Sequence, residues 1–166
     1  MSTLYEDTRD AIETILNGVV GVGKVYKSPR HVTDWETFVK MHSTQERVVN
    51  VGWYSMASAS DSITGTLAAV DDTDFIHYTE RTEAWEIEYF YGFKDSDTEP
   101  SDFDFQLLVE RIEDAFRFAQ DLGDVAYQNL PLQRTFSGLW MLGNVVLCHR
   151  AAFRLTVIHR IQNPAI

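Results

Sequence analysis

The stretch that most constrains this chain is residues 85–122, which reads as a strand, an acidic turn and a long amphipathic helix. Trp85-Glu86-Ile87-Glu88-Tyr89-Phe90-Tyr91-Gly92-Phe93 is dense in aromatic and β-branched residues, the composition of a pleated, half-buried strand. Residues 94–100 then offer too few apolar side chains to bury, so the strand must end there. Ser101 fits a helix N-cap, with Asp104 three positions on as a weaker capping-box partner. Phe105, Leu108, Ile112, Ala115, Phe116, Ala119 and Leu122 recur at three- and four-residue steps and therefore share one helical face. Gly123 falls where a left-handed glycine closes a helix.

The rest of the chain supplies partners for that unit. Thr3 and Glu6 have capping-box spacing, and Leu4, Ala11, Ile12, Ile15, Leu16 and Val19 line one face of a first helix that Gly18 and Gly21 end. A short strand around Val25 and Tyr26 stops at Pro29. Thr33 and Glu36 suggest a second capping box, opening a short helix with Trp35, Phe38 and Val39. In the next strand, residues 47–55, Val49, Val51 and Trp53 share a face and Val48 and Tyr54 lie near the other. Residues 56–74 are mostly Ser, Ala, Thr, Gly and Asp, and read as one long mobile loop. A strand resumes over 75–93, bent near 81–84, and the helix after residue 100 is followed by strands over 136–147 with a turn at Gly143-Asn144. In the last strand Phe153, Leu155, Val157 and Ile161 alternate with Arg154, Thr156, Ile158 and Arg160. With no internal repeat or linker, the expectation is a single α+β domain over 1–166: a mainly antiparallel sheet with the long helix and the N-terminal helix packed on one face.

Charge is uneven. The net charge is -11, which disfavours a surface that grips nucleic acid. All 25 acidic residues lie at or before Asp124, while residues 125–166 hold Arg134, Arg150, Arg154, Arg160 and no acid. Those arginines must meet acids from earlier segments, such as Glu86 and Glu88, or acids on another subunit. Arg154, Arg160, Glu86 and Glu88 are therefore the candidate subunit interface. No apolar run reaches the ~20 residues of a membrane span, and the N-terminus lacks signal-peptide character, so a cytoplasmic place of assembly is expected. The single Cys148 lies in an apolar run and reads as a buried, inert thiol.

Chemistry finds little purchase. His31, His42, His77, His149 and His159 form no metal-ligand spacing, and one cysteine excludes the usual zinc frameworks. The Gly18–Gly23 run matches neither a dinucleotide fingerprint nor a P-loop, and no GxSxG elbow occurs. Glu86 and Glu88, two apart on a strand, lie closer than the ~6.5–9.5 Å of an inverting glycosidase pair. The acids around residues 95–104 lack EF-hand spacing. No catalytic, cofactor-binding or metal-binding residue is assigned, and no cofactor is expected.

In layout the chain resembles the tail-terminator (tail-completion) proteins of long-tailed bacteriophages. The likeness rests on Ala84-Trp85-Glu86-Ile87-Glu88-Tyr89 before an acidic turn, on the helix through Phe105 and Phe116, and on Gly138-Leu139-Trp140 followed by the alternating strand through Ala152, Arg154 and Thr156. This chain carries extra length around Trp35 and over residues 56–74. The resemblance implies a non-enzymatic virion protein at the head-proximal end of the tail. Such a protein forms a homo-oligomeric ring, a hexamer, that caps the tail-tube protein, stops its polymerisation and meets a head-completion or connector protein. DNA would pass through without specific binding. On this reading Ser58, Asp61, Ile63, Leu67, Asp71 and Asp72 form a tail-tube contact loop. The alternatives are a small α+β enzyme or ligand-binding domain with an aromatic pocket, or another phage neck or tail component of similar fold.

Overall fold

A computed structural model describes residues 3–30, 32, 34–44, 49–68, 75–93, 101–144 and 146–162, with backbone alone for 63–68 and 75–77. The element order is α1 (Leu4–Gly18), β1 (Lys24–Tyr26), α2 (Trp35–His42), β2 (Asn50–Ala68), β3 (Phe75–Gly92), α3 (Ser101–Phe118), β4 (Gln128–Asn129), β5 (Gln133–Leu142) and β6 (Val146–Gln162). The fold is α+β. One sheet runs β1-β2-β3-β6-β4, and β5 joins the outer side of β6 beside β4. Among the described residues only β1 and β2 pair in parallel; the other pairings are antiparallel.

Helix α1 starts where its sequence says it should. The Thr3 hydroxyl accepts from the Glu6 amide at 3.3 Å, and the Glu6 carboxylate accepts from the Thr3 amide at 2.8 Å. Two otherwise orphaned donors are thereby satisfied. The face buried by α1 centres on Thr8, Ile12 and Leu16. The face buried by α3 is Phe105, Leu108, Val109, Ile112 and Phe116, with Ala115 partly buried against the same core. Both helices cover Trp85, Ile87, Tyr89 and Tyr91 of β3 and Ala151, Phe153, Leu155 and Val157 of β6. Helix α2 lies on the opposite face, where Phe38 joins a smaller core of Val49, Val51, Trp53, Phe90, Leu142 and Cys148. The expected split of β2 is present for Val49, Val51 and Trp53 on this face and Tyr54 on the other, while Val48 lies outside the described residues.

Three expectations are corrected. Residues 56–68 are not loop but the second half of β2, laddered to β3 from Ser58↔Ala84 to Ala68↔Phe75. Small and polar residues have weak strand preference of their own, and here the partner strand holds them. Register shifts at Met56/Ser58 and Ile63/Thr66 absorb the irregular sequence. Ser58, Asp61, Ile63 and Leu67 thus lie on a strand; Asp71 and Asp72 fall outside the described residues, as does the acidic turn at 94–100. The cap of α2 is Asp34, whose carboxylate accepts from the Thr37 amide at 2.8 Å. Helix α3 ends at Phe118, and the chain then turns through Leu122, Gly123 and Asp124, all with positive φ (52°, 71° and 68°).

Glycine is required at position 52. A Cβ there would stand 2.6 Å from the Tyr89 ring. That ring crosses Gly52 so that its hydroxyl accepts from the Gly23 amide at 2.7 Å and donates to Asn50. The α1–β1 connection is pinned to the sheet by this contact.

Candidate functional site

The most unusual chemistry lies inside. On β3, Glu83 is fully buried and takes three neighbours. Trp85 Nε1–H donates to Oε2 at 3.1 Å, Arg81 Nε–H donates to Oε1 at 3.1 Å, and His159 Nε2 of β6 stands 3.6 Å from Oε2. Thr8 of α1 places its hydroxyl 3.1 Å from the same His159 nitrogen and donates its own proton to the Leu4 carbonyl at 2.8 Å. Burial alone would push the Glu83 carboxyl up; His159, Trp85 and Arg81 outweigh it and hold the group below the usual carboxylate range.

The set contains a hydroxyl, an imidazole and a carboxylate, but not a proton relay. A relay needs hydroxyl and carboxylate on opposite ring nitrogens. Here both meet Nε2, while Nδ1 is buried with no hydrogen-bond partner. Thr8, Glu83 and His159 are each at most 2% exposed, so no substrate reaches them. The cluster ties α1 to β3 and β6.

A second set has the relay order but not its distances. Ser101 Oγ is 3.0 Å from His149 Nε2, and Asp102 Oδ1 is 3.9 Å from Nδ1, beyond hydrogen-bond reach. The serine is 1% exposed. Phe105 stacks on the imidazole at a centroid distance of 4.9 Å, and Phe93 meets it tilted at 5.4 Å. The arrangement joins the start of α3 to β6.

The C-terminal arginines find acids of the same chain, three of them on the other face of the sheet and Arg134 on the helix-covered face. Arg154 meets Glu86 at 3.5 Å and Arg160 meets Glu80 at 3.0 Å, both directly across β3 and β6. Glu88 belongs to Arg150, a diagonal neighbour, and also accepts from Trp53 Nε1 at 2.7 Å. Arg150 lies over Trp140 and Phe136, 4.6 and 5.0 Å from the ring centres. Arg134 grips Glu113 of α3 with two hydrogen bonds of 2.8 and 2.9 Å. Of the four residues assigned to an interface, only Glu86 and Arg154 pair with each other. None of the four C-terminal arginines needs an acid from another subunit: the sheet register brings one to Arg150, Arg154 and Arg160, and α3 brings one to Arg134.

Concave surface is shallow. An open depression of about 540 Å3 lies between the end of α3 and β4, lined by Phe116, Arg117, Gln120, Tyr127 and Asn129. Among the described residues no three His, Cys, Asp or Glu side chains gather as a metal site, and no helix is long and apolar enough to cross a membrane. Burial pushes the Cys148 thiol up to about 11, so it stays protonated.

The remaining candidate is a contact surface. Leu139 and Met141 of β5, Leu147 of β6 and Phe93 are 52%, 46%, 38% and 39% exposed. Met141 pairs with Leu147, and the Phe93 amide donates to the Leu147 carbonyl at 3.4 Å, so three of the four adjoin. At the other end of the sheet, among the described residues, the β2–β3 ladder runs on to Ala68↔Phe75, past the last β3–β6 pair at Tyr78↔Gln162. The β2–β3 ribbon therefore projects past β6 among the described residues. Sequence reading missed the buried Glu83–His159 pair and this apolar patch. Strand parity was the available signal for both. No family model matches the chain, and no curated protein matches it.

Proposed function

We propose that this chain is a structural virion protein that caps the tail tube of a long-tailed bacteriophage as a homo-oligomeric ring, probing no substrate of its own. In that role it stops tail polymerisation and offers the surface for head joining. The observation that carries the reading is the exposed apolar group of Met141, Leu147 and Phe93, with exposed Leu139 two residues along β5, since adjoining apolar surface of this kind marks a protein contact. The projecting β2–β3 ribbon supports it as the element that reaches the tail-tube protein. A net charge of -11 suits passage of DNA without retention. The layout resemblance of the whole chain points the same way.

The test is electron microscopy of particles assembled without this protein. Overlong tails lacking heads are expected; tails of normal length joined to heads would overturn the reading. A second reading, a small ligand-binding domain or enzyme, draws on the depression beside Tyr127. Normal tails together with a small molecule retained in that depression would favour it.

A further inference from the structure

We propose that copies of this chain associate head-to-tail by strand addition, the open edge of β2 in one copy pairing antiparallel with the open edge of β5 in the next. The proposal deepens the ring reading above, and rests on it for closure of the assembly. Its starting point is that the sheet has two open edges of different kinds. Strand β1 covers β2 only at Val51, Gly52 and Trp53. Past that point, among the described residues, β2 pairs with β3 alone, and residues 57–62 are all exposed. At the far edge, among the described residues, β5 pairs only with β6. Among the described residues no strand pairs with the outer edge of residues 54–61 of β2 or with the outer edge of β5.

Of the usual edge protections, the two strands carry register shifts, at Met56/Ser58 and Ile63/Thr66 of β2 and at Arg134/Phe136 of β5, and little else. Sheet edges that stay alone are blunted by lysine, proline, inward charge or shortness. Residues 54–62 of β2 contain no lysine, arginine or proline and a single acid, Asp61. The one charge on β5, Arg134, is turned away to Glu113. Instead β5 presents Leu139, Trp140 and Met141, each about half exposed.

Strand direction fits the pairing. Strand β2 is antiparallel to β3, β3 to β6, and β6 to β5, so β2 and β5 run in opposite senses. A neighbour placed beside the sheet with its helices on the same side therefore offers β5 to β2 as an antiparallel partner. The edges are different, so the contact is heterologous, and a rotation that closes gives a ring.

Register makes the pairing specific. Residues 58–62 of β2 lie level with Ala84 to Glu80 of β3, whereas β5 lies level with the part of β6 that pairs beyond Glu86. The neighbour must therefore slide along the strands to clear β1. An even slide keeps every side chain on its own face, and a slide of about six residues, or roughly 20 Å, does so. That places Ser137 opposite Ala59 on the helix-covered face, and Phe136 opposite Ser60 and Gly138 opposite Ser58 on the other. Small residues then face the aromatic ring. Across the four strands β2, β3, β6 and β5, about 19 Å wide, this slide corresponds to strands tilted by roughly 45° to the ring axis, at the steep end of what closed sheets adopt.

The test is disulfide trapping between singly substituted proteins, in which the buried native Cys148 stays silent. Ala59→Cys and Ser137→Cys proteins are mixed and oxidised, with Ser60→Cys and Ser137→Cys, whose side chains point to opposite faces, as the control. A covalent dimer from the first mixture and at least tenfold less from the control is expected, because only same-face neighbours come within disulfide reach. A chain carrying both Ala59→Cys and Ser137→Cys should give a ladder of multimers. Cross-linking of Ala59→Cys with itself, or no cross-link from folded protein either at high concentration or within assembled particles, would overturn the proposal. Circular dichroism checks folding of each variant. Ser60→Lys provides a second route: a lysine on this edge should abolish association while the melting curve stays that of the parent, and unaltered association would contradict the pairing. A ladder from a protein whose loss leaves tails normal would keep the pairing and discard the tail-cap function; overlong tails without a cross-link would do the reverse.

Discussion

Glu83 and Glu86 stand three residues apart on β3, and the sheet gives them opposite fates. Glu83 lies on the helix-covered face, fully buried among Trp85, Arg81 and His159, the last also in contact with Thr8 of α1. Glu86 faces outward and meets Arg154 with both side chains more than half exposed. A carboxylate in water needs no partner, so the exposed pair contributes about 0–1 kcal/mol. A buried one is tolerable only with its hydrogen bonds made, and removing any partner leaves a charge or donor stranded. The two faces of one strand thus treat a carboxylate differently: at Glu83 the helix-covered face holds it dry with its partners made, and at Glu86 the outer face leaves it in water.

The largest effect that would break this contrast is at Glu83. Glu83→Ala strands Arg81 and the Trp85 indole and should cost about 3–5 kcal/mol, read as a lowered denaturant midpoint. A value near zero would mean the cluster rearranges freely. Phe116→Ala, emptying the centre of the α3 face, should cost a similar ~3–5 kcal/mol, and an unchanged midpoint with unchanged slope would show that the core reseals. Glu88→Ala occupies the middle ground. It removes hydrogen bonds to Arg150 and Trp53 from a half-buried site, and roughly 1.5–3 kcal/mol is expected from stability curves. Arg154→Glu should change stability by no more than about 1 kcal/mol; loss of folding would show that the exposed pair is far stronger than its geometry indicates.

Acid sharpens the same contrast. The folded-state pKa of Glu83 lies below its ordinary value of 4.5. Its contribution is therefore fully present above that ordinary value and is lost as pH falls from there through the folded value. The stability gap between the parent and Glu83→Gln should narrow over that window in pH-dependent unfolding. A gap that widens toward acid would reverse the assigned direction.

Much of this was legible along the chain where local signals agreed with the fold. The Thr3–Glu6 cap, the α3 stripe through Phe116 and the turn at Gly143-Asn144 each depend on neighbours a few residues away. Residues 56–68 were illegible because Ser58, Ala59 and Ser60 have little strand preference and are held by the Ala84, Glu83 and Thr82 backbone across the ladder. Partner choice among charges was equally hidden: alternation put Arg154 and Arg160 on one face, but only the register assigns Glu80 to Arg160 and Glu88 to Arg150. His159 was within reach, since it lies between Val157 and Ile161 in the same alternation, and its parity assigns it inward. Its meeting with Glu83 and Thr8 joins three distant segments and leaves no trace in any one of them.

The internal pairing of the arginines also moves the proposed subunit contact away from charge. Association built on Arg154 and Arg160 would weaken with salt; association built on backbone edges and on Trp140 and Leu139 should persist in it. The claim that function lies in the sheet edges and not in the buried polar clusters is tested most directly by tail length in particles supplied only with the Ser60→Lys protein. Folded protein and overlong tails are the expected result. Tails of normal length, with heads attached, would contradict it.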